Sequence, residues 1–337
     1  MLAQIKFFWF SITTTILTIV FSAYYLGPAA IVPLVILMII EITFSFDNAV
    51  VNAKILKKMS PTWQRIFLSV GIIIAIFGMR LVFPILIVAL TADLSWRAVI
   101  DLALNHPTEY ADRLEMAHPT ITAFGGAFLM MLAFHFFMEK GKVHHWFGRF
   151  ERFLQRIGTT WMPALLTSIA IAVIAVVPAN HHPGQTVRAG FIGLAAYLAI
   201  YGLNYVIEKT TNKTNKLAHY TGWAAFTMFM YLELLDASFS LDGVLGAFAI
   251  TSDVVLIVAG LGVGAVWVRS LTVYMVRKGT LDAYKFLEHG AHYAIAVLAV
   301  AMILSVIYEL PEIVTGVLGL GFIIGSVIAS NRGKQLA

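Results

Sequence analysis

Long apolar runs separated by short polar segments occupy the chain from end to end. The runs fall at about 7–26, 28–53, 67–90, 120–138, 162–178, 187–207, 220–250, 253–276, 292–309 and 312–330. A bilayer core is about 30 Å thick, and a helix of roughly 20 apolar residues crosses it. The pattern therefore predicts an all-α polytopic membrane protein with ten transmembrane helices, forming a single transmembrane domain over residues 1–337.

The basic residues are unevenly divided between the two sides of this predicted bundle. With the N-terminus inside, 18 of the 23 Lys and Arg residues fall on one face. The opposite face receives only Arg97, Arg113 and Arg188. Lys and Arg are enriched in cytoplasmic loops, so we expect both termini in the cytoplasm, in a bacterial inner (plasma) membrane. A second span follows the first run at once, so we interpret that run as an uncleaved helix.

Composition excludes several classes of function. The chain is 60% hydrophobic and only 12% charged, against about 25% charged residues in a soluble domain. It contains no cysteine, which removes disulfides, thiolate metal sites and thiol chemistry. Signatures of hydrolases, zinc proteases, nucleotide sites and nucleic-acid modules are also missing from the sequence. We therefore expect no enzyme and no nucleic-acid partner, and the lipid bilayer explains the basic loops.

Two acidic segments lie inside the second and seventh apolar runs. The sequence EITFSFDN at 41–48 aligns without a gap with DASFSLDG at 236–243, at an offset of 195 residues. Five spans separate the segments, so they cross the membrane in opposite directions. This predicts an inverted three-helix repeat, with one unit at about 28–138 and the other at about 220–309.

The buried charges of these segments predict a cation site. A carboxylate at mid-membrane depth costs about 2.5–3.5 kcal/mol, and the two segments with Glu233 hold five of them against two arginines in the following spans. Protons or cations must meet the remaining negative charge. Oxygen ligands favour hard cations such as Mn²⁺, Ca²⁺ or Mg²⁺. The candidate metal ligands are Glu41, Asp47, Asn48, Glu233, Asp236, Ser240 and Asp242, with Ser45, Arg80 and Arg269 in supporting or coupling roles.

The spacing of the acids sets a geometric condition on the helices. Glu41 and Asp47 are six residues apart, which on a straight helix points them about 120° away from each other. We therefore expect a kink or an unwound turn between them. The seventh span is longer than a bilayer needs and contains Gly243, so we also expect a break there that frees backbone carbonyls to join the site.

Two connections are longer than the others. Residues 91–119 contain two His-Pro pairs, which predict a loop or short helix. Residues at about 142–158 place aromatic side chains at helical spacing with arginines between them, which favours a helix on the cytoplasmic membrane surface. The glycine-rich sequence GLGVG at 260–264 indicates close helix packing rather than a phosphate loop.

The two acidic segments resemble the paired signature of the TerC family of integral membrane proteins. Glu41 with Ser45, Asp47 and Asn48 is similar to the first signature, and the segment from Glu233 to Asp242 is similar to the second. The resemblance implies metal-ion homeostasis, with Mn²⁺ efflux as the favoured activity and tellurite resistance as the historical label. Gly243 departs from the family, which usually has serine at that position.

The leading interpretation is a secondary transporter that moves a divalent cation outward through a midplane carboxylate site, with protons as a candidate coupling ion. A second interpretation is a membrane assembly or stress-response scaffold, in which the buried acids are structural. A third is a proton-driven exporter of an organic solute. A scaffold tolerates neutral replacements of the acids, whereas a metal transporter loses its activity.

Overall fold

The computed structural model describes residues 2–211, 220–308 and 310–335, and the described chain is helical almost throughout. No strand occurs in these residues, so the all-α class is confirmed. The helices, in chain order, are α1 (Leu2–Tyr25), α2 (Ile31–Phe44), α3 (Phe46–Leu56), α4 (Pro61–Ile73), α5 (Phe83–Thr91), α6 (Trp96–Asn105), α7 (Pro107–Met138), α8 (Gly148–Ile157), α9 (Met162–Val176), α10 (Pro183–Thr211), α11 (Gly222–Phe248), α12 (Val254–Lys278), α13 (Thr280–Ala283), α14 (Leu287–Ser305) and α15 (Glu312–Gln335).

The long apolar helices account for the predicted spans. Eight of the described helical segments are long and apolar enough to cross a bilayer, and two bent helix pairs bring the number to as many as ten. One of the eight joins α4 to α5 through a π-helical segment at Ile74–Val82. The chain is therefore built as an integral membrane protein, and each of the ten predicted apolar runs contains a helix.

Of the two spans that carry the acidic segments, the second is interrupted and the seventh is continuous. At Ser45 the backbone leaves the α-helical region (φ −96°, ψ 15°), and the chain bends by 52° between α2 and α3. The predicted kink between Glu41 and Asp47 is thus present. The predicted break at Gly243 is wrong, because α11 runs continuously from Gly222 to Phe248. A glycine inside a helix costs only about 1 kcal/mol, which is too little to interrupt a helix packed along its length.

The connection at 91–119 is more helical than its prolines predict. A short helix, α6, is followed by α7, which starts at Pro107 and contains Pro119 in its interior. Only the first His-Pro pair therefore marks a boundary. Proline at a first helical position loses no hydrogen bond, whereas Pro119 is tolerated within a helix that is buried over most of its length.

A helix occupies part of the region predicted to hold a surface helix, and it is shorter than the predicted bounds of about 142–158. It begins at Gly148, because the buried carboxylate of Glu151 accepts hydrogen bonds from the backbone N–H groups of Trp146 (3.1 Å) and Phe147 (3.2 Å). The same carboxylate accepts a bond from the Tyr293 hydroxyl of α14 at 3.0 Å. The helix stands at 100° to α9 and is held against the bundle by these bonds.

The core of the bundle is centred on α7 and α14. Gly125 and Gly126 of α7 let the two helices approach closely, since a Cβ on Gly126 would lie 2.9 Å from the Ile303 side chain. Helices α3, α10 and α11 pack around this pair. The acidic segments of α2, α3 and α11 are thereby held against the centre of the molecule rather than against lipid.

The glycine-rich run of α12 packs against α2, as its sequence predicts. A Cβ on Gly260 would lie 2.6 Å from the Cβ of Leu37, and one on Gly264 would lie 2.5 Å from the Cβ of Glu41. Small residues of this kind bring membrane helices into direct backbone contact. The position of Glu41 therefore depends on glycines that are distant from it in sequence.

We expect Gly260→Ala to lower the stability of the protein by about 1–3 kcal/mol, because the new methyl group overpacks the contact with Leu37. The matched control is Gly321→Ala, at an exposed helical glycine with open space around it. Both changes gain the same intrinsic helix propensity. Thermal unfolding in detergent measures the difference, and equal midpoints for the two variants would contradict the packing.

Candidate metal-cation site

The first group of buried charges surrounds Glu41 at the end of α2. Its Oε1 atom accepts a hydrogen bond from the Ser45 hydroxyl at 3.0 Å and forms an ion pair with Arg80. Arg80 also donates to the backbone carbonyl of Ala75. Both members of the ion pair are buried. Removed from water, they are strongly coupled to each other, and neither is stable there alone.

The π-helical segment between α4 and α5 carries Arg80. π-Helical turns are rare and are frequent at functional sites. Here the segment occupies Ile74–Val82, and the arginine lies near its end. The Arg80 guanidinium donates to the backbone carbonyl of Ala75, five residues earlier in the same segment, and also to Glu41 of α2.

The second group of buried charges surrounds Arg269 of α12. Its guanidinium donates to both carboxylate oxygens of Glu233, at 3.0 and 3.1 Å, and to Asp236 at 3.3 Å. It also donates to the backbone carbonyl of Phe67 at 3.1 Å and lies 4.2 Å from the centre of that ring. Arg269 therefore engages two acids of α11 with one positive charge and ties α12 to α4.

Gly71 of α4 leaves the space that the ion pair between Arg269 and Glu233 occupies. A Cβ on Gly71 of α4 would lie 2.9 Å from the Glu233 carboxylate and closer still to the Arg269 guanidinium. Gly264 has the same role beside Glu41, where a Cβ would meet the acid's own side-chain carbons at 2.5 Å. Both ion pairs thus fit into the bundle because a glycine on the facing helix leaves space for them.

Among the described side chains, one hydrogen bond joins the two acidic segments. The Asn48 amide of α3 donates to the Asp236 carboxylate of α11 at 2.9 Å. Both residues are buried. The two segments that the sequence predicts to be related are therefore neighbours in space.

Asp47 differs from the other described buried acids of α2, α3 and α11. Its side chain is only 7% exposed, and its carboxylate accepts a hydrogen bond from the backbone N–H of Asn48 at 2.9 Å. Among the ion pairs of the described residues, none includes Asp47. It lies in the first turn of α3, where the helix dipole favours a negative charge. Its charge is therefore met in part by the backbone but not by a basic side chain.

A small cavity opens beside these acids at the bend between α2 and α3. It has a volume of about 60 Å³ and is lined by Glu41, Ser45, Asp47 and Gly243, with walls from α14 and α15. A larger cavity of about 430 Å³ lies next to it, and Leu298 and Thr315 line both. The acids therefore lie close to open space that continues toward one end of the bundle.

The remaining predicted ligands have different outcomes. The Ser240 hydroxyl and the Oδ1 atom of Asn48 are buried and have no hydrogen-bond partner in the described part of the chain. The side chain of Asp242 lies outside the described residues. No three His, Asp or Glu side chains of the described residues converge as a set of metal ligands. The acids form two ion-paired groups, because each arginine draws in its nearest carboxylates.

Sequence reasoning did not single out three features of this region. Asn52 is buried one helical turn after Asn48, and its Oδ1 also has no hydrogen-bond partner among the described residues. Its four-residue spacing from Asn48 on an apolar helix was the available signal. The spacing glycine Gly71 and the cavity wall from α15 had no comparable signal, because both depend on which helices become neighbours.

The helical architecture and the apolar spans define an integral membrane protein of the all-α class. A family described as protein of unknown function, DUF475, matches residues 46–336, so the chain belongs to that family. The match includes Asp47 and Asn48 but begins after Glu41. No curated protein and no solved structure matches the chain significantly.

We expect Arg80→Met to destabilise the protein by about 3–5 kcal/mol, because it leaves Glu41 buried without its partner. The double variant Arg80→Met/Glu41→Gln removes both charges and should recover most of that loss. Thermal unfolding of the wild type, both single variants and the double variant measures the coupling between the two residues. If the two single effects simply add, the ion pair is not the dominant interaction of either residue.

Proposed function

We propose that the protein is a secondary transporter of a divalent metal cation, with Mn²⁺ efflux as its activity. The observation that carries the proposal is Asp47, a buried carboxylate beside a cavity, which has no basic partner among the described residues. A buried charge of this kind needs a proton or a cation. A transporter for a cation requires such a group, whereas a purely structural acid needs a permanent partner.

The balance of buried charges supports a divalent ion. Four described carboxylates, Glu41, Asp47, Glu233 and Asp236, face two guanidinium groups, Arg80 and Arg269. Two negative charges remain, which one divalent cation neutralises. Asp242 adds one further acid to the same segment. A proton can replace the ion on these acids when it leaves, which makes protons the natural coupling ion.

The available ligands favour a hard cation. Asp47, Glu41 and Ser45 offer carboxylate and hydroxyl oxygens to the small cavity. Asn48, Asp236 and Ser240 offer further oxygens behind them, and the chain has no cysteine. Mg²⁺, Ca²⁺ and Mn²⁺ all accept oxygen and water ligands. The choice of Mn²⁺ among them comes from the resemblance of the two acidic segments to the TerC family.

The cavities support a route on one side of the site. Glu115 and His118 line the larger cavity, at the end of the bundle that the distribution of basic residues assigns to the outside. In this orientation both termini are cytoplasmic, and the membrane is the bacterial inner membrane. Alternating access follows from rocking one inverted repeat against the other about the midplane. Arg80 and Arg269 hold the acids in place during the cycle, and a cation that binds Glu41 competes with Arg80.

The scaffold interpretation has one observation in its favour. Arg80 and Arg269 together engage three of the four buried acids described in α2, α3 and α11. Buried ion pairs of this kind fix the arrangement of helices but add little net stability. Asp47 is not explained by that role, and neither is the cavity at its side. An organic solute needs a site of roughly 300–1,000 Å³. The cavity beside the acids has about 60 Å³, and the neighbouring cavity of about 430 Å³ is lined by none of these four acids.

We expect purified protein in proteoliposomes to carry Mn²⁺, and Asp47→Asn to reduce the flux by at least about tenfold. A lost charged ligand costs about 1.5–3 kcal/mol, and 1.4 kcal/mol is tenfold in binding. The matched control is Asp282→Asn, which removes an exposed acid paired with Lys57 at the surface. Its flux should equal that of the wild type.

Flux is measured with an internal Mn²⁺-sensitive dye, with and without a pH gradient. A folded wild type that moves neither Mn²⁺, Ca²⁺ nor Mg²⁺ contradicts the transporter proposal and favours the scaffold. Equal flux from Asp47→Asn and the wild type removes Asp47 from the ion path.

A further inference from the structure

Two cross-contacts connect α2–α3 with α11, and they are related to each other. In one, the Asn48 amide covers the Asp236 carboxylate at 2.9 Å. In the other, Glu41 faces Gly243, where a Cβ would lie 3.6 Å from its Oε2 atom. The first residue of one segment, Glu41, thus lies beside the last residue of the other, Gly243, and Asn48 lies beside Asp236. The two segments therefore run antiparallel.

The offset of 195 residues exchanges these two contacts. It carries Glu41 onto Asp236 and Asn48 onto Gly243. The acid–amide contact in one half therefore corresponds to an acid–glycine contact in the other. An inverted repeat requires this relation, because a two-fold axis turns each contact into its counterpart. At these two contacts the halves differ in Asn48 against Gly243 and, by one methylene, in Glu41 against Asp236.

The difference between Asn48 and Gly243 changes the surroundings of the two acids. Asp236 is covered by the Asn48 amide and held by Arg269. The Oε1 atom of Glu41 is engaged by Ser45 and Arg80, but its Oε2 atom points to the gap left by Gly243. That gap is part of the cavity of about 60 Å³.

The backbone does not explain the glycine. Gly243 lies inside α11 and is not among the glycines of positive φ. Its Cβ would meet Glu41 at an ordinary contact distance, unlike a Cβ at Gly71 or Gly264. A glycine in a helix interior costs about 1 kcal/mol relative to alanine. The position therefore keeps a space open at a cost in helix stability.

We propose that Gly243 keeps the Glu41 carboxylate open to water and to a partly hydrated divalent cation, while Asn48 closes the equivalent approach to Asp236. The ion in this statement rests on the proposed function, whereas the difference in water access does not. A cavity of about 60 Å³ has room for water, since about 10–15 Å³ is enough for one molecule. Hard divalent cations retain waters of this kind when a protein binds them. Glu41, and not Asp236, is then the acid that the ion reaches first.

Single cysteines test the difference in access, because the chain has none of its own. Ser45→Cys reports on the Glu41 half, and Ser240→Cys reports on the equivalent position of the Asp236 half. The rate of modification by 2-aminoethyl methanethiosulfonate is measured by mass spectrometry on full-length protein in lipid nanodiscs. We expect Ser45→Cys to react at least about tenfold faster than Ser240→Cys, which corresponds to about 1.4 kcal/mol in access.

Exchanging the two side chains should exchange the reactivities. Gly243→Asn should slow the modification of Ser45→Cys, and Asn48→Gly should accelerate that of Ser240→Cys. Gly243→Ala is the matched control, since its Cβ fits beside Glu41 and leaves most of the cavity open. Gly243→Ser is the smaller polar replacement if Gly243→Asn fails to fold, and it should slow the reaction to an intermediate rate. Unchanged rates in folded Gly243→Asn or Gly243→Ser overturn the proposal.

Mn²⁺ protection separates this proposal from the proposed function. We expect Mn²⁺ to protect Ser45→Cys from modification with Gly243 or Gly243→Ala in place, and not with Gly243→Asn. Exchanged reactivities without any Mn²⁺ protection or flux support the role of Gly243 in access and overturn the metal-transport function. Protection that persists in Gly243→Asn overturns the assignment of the gap to the ion.

Discussion

The structure depends on one constraint, the burial of several carboxylates inside an apolar helical bundle. Each of them needs a positive partner, a proton or a cation, because an isolated buried charge is unstable. Arg80 and Arg269 engage three of the four buried acids described in α2, α3 and α11. Asp47 lies in the first turn of α3, where the helix dipole favours its charge, and it lines the cavity. The unequal treatment of these acids is the physical basis of the proposed function.

Several local features of the fold serve that constraint. On a straight helix, Glu41 and Asp47 would point in different directions because they are six residues apart. The bend at Ser45 changes the direction of the chain between them, and both acids line one cavity. The π-helical segment holds Arg80 beside Glu41, with a backbone carbonyl as its second partner. Gly71 and Gly264 leave room for the two ion pairs. Each feature departs from ideal helix geometry or composition, and each is found where a charge is buried.

The sequence predicted the helices, the bend in the second span and the residues of the acidic groups, because apolar runs and buried charges are local signals. It did not predict the partition of the acids. The sequence places five acids and two arginines in the spans but does not say which of them pair. In the structure Arg269 engages both Glu233 and Asp236, whereas Arg80 engages Glu41. The contribution of α15 to the cavity, and the role of Gly71, depend on which distant helices pack together. The continuity of α11 through Gly243 was mispredicted, because the space around a glycine depends on its neighbours.

The central claim is that the charge of Asp47 is met by an exchangeable cation or proton. Calorimetric titration of Mn²⁺ into the purified protein tests it most directly, in two buffers of different ionisation enthalpy. The account predicts binding of one Mn²⁺ per chain with release of protons, and loss of both in Asp47→Asn. Binding of Mn²⁺ by Asp47→Asn with the same affinity and the same proton release would contradict the account, and so would a folded wild type that binds no divalent cation.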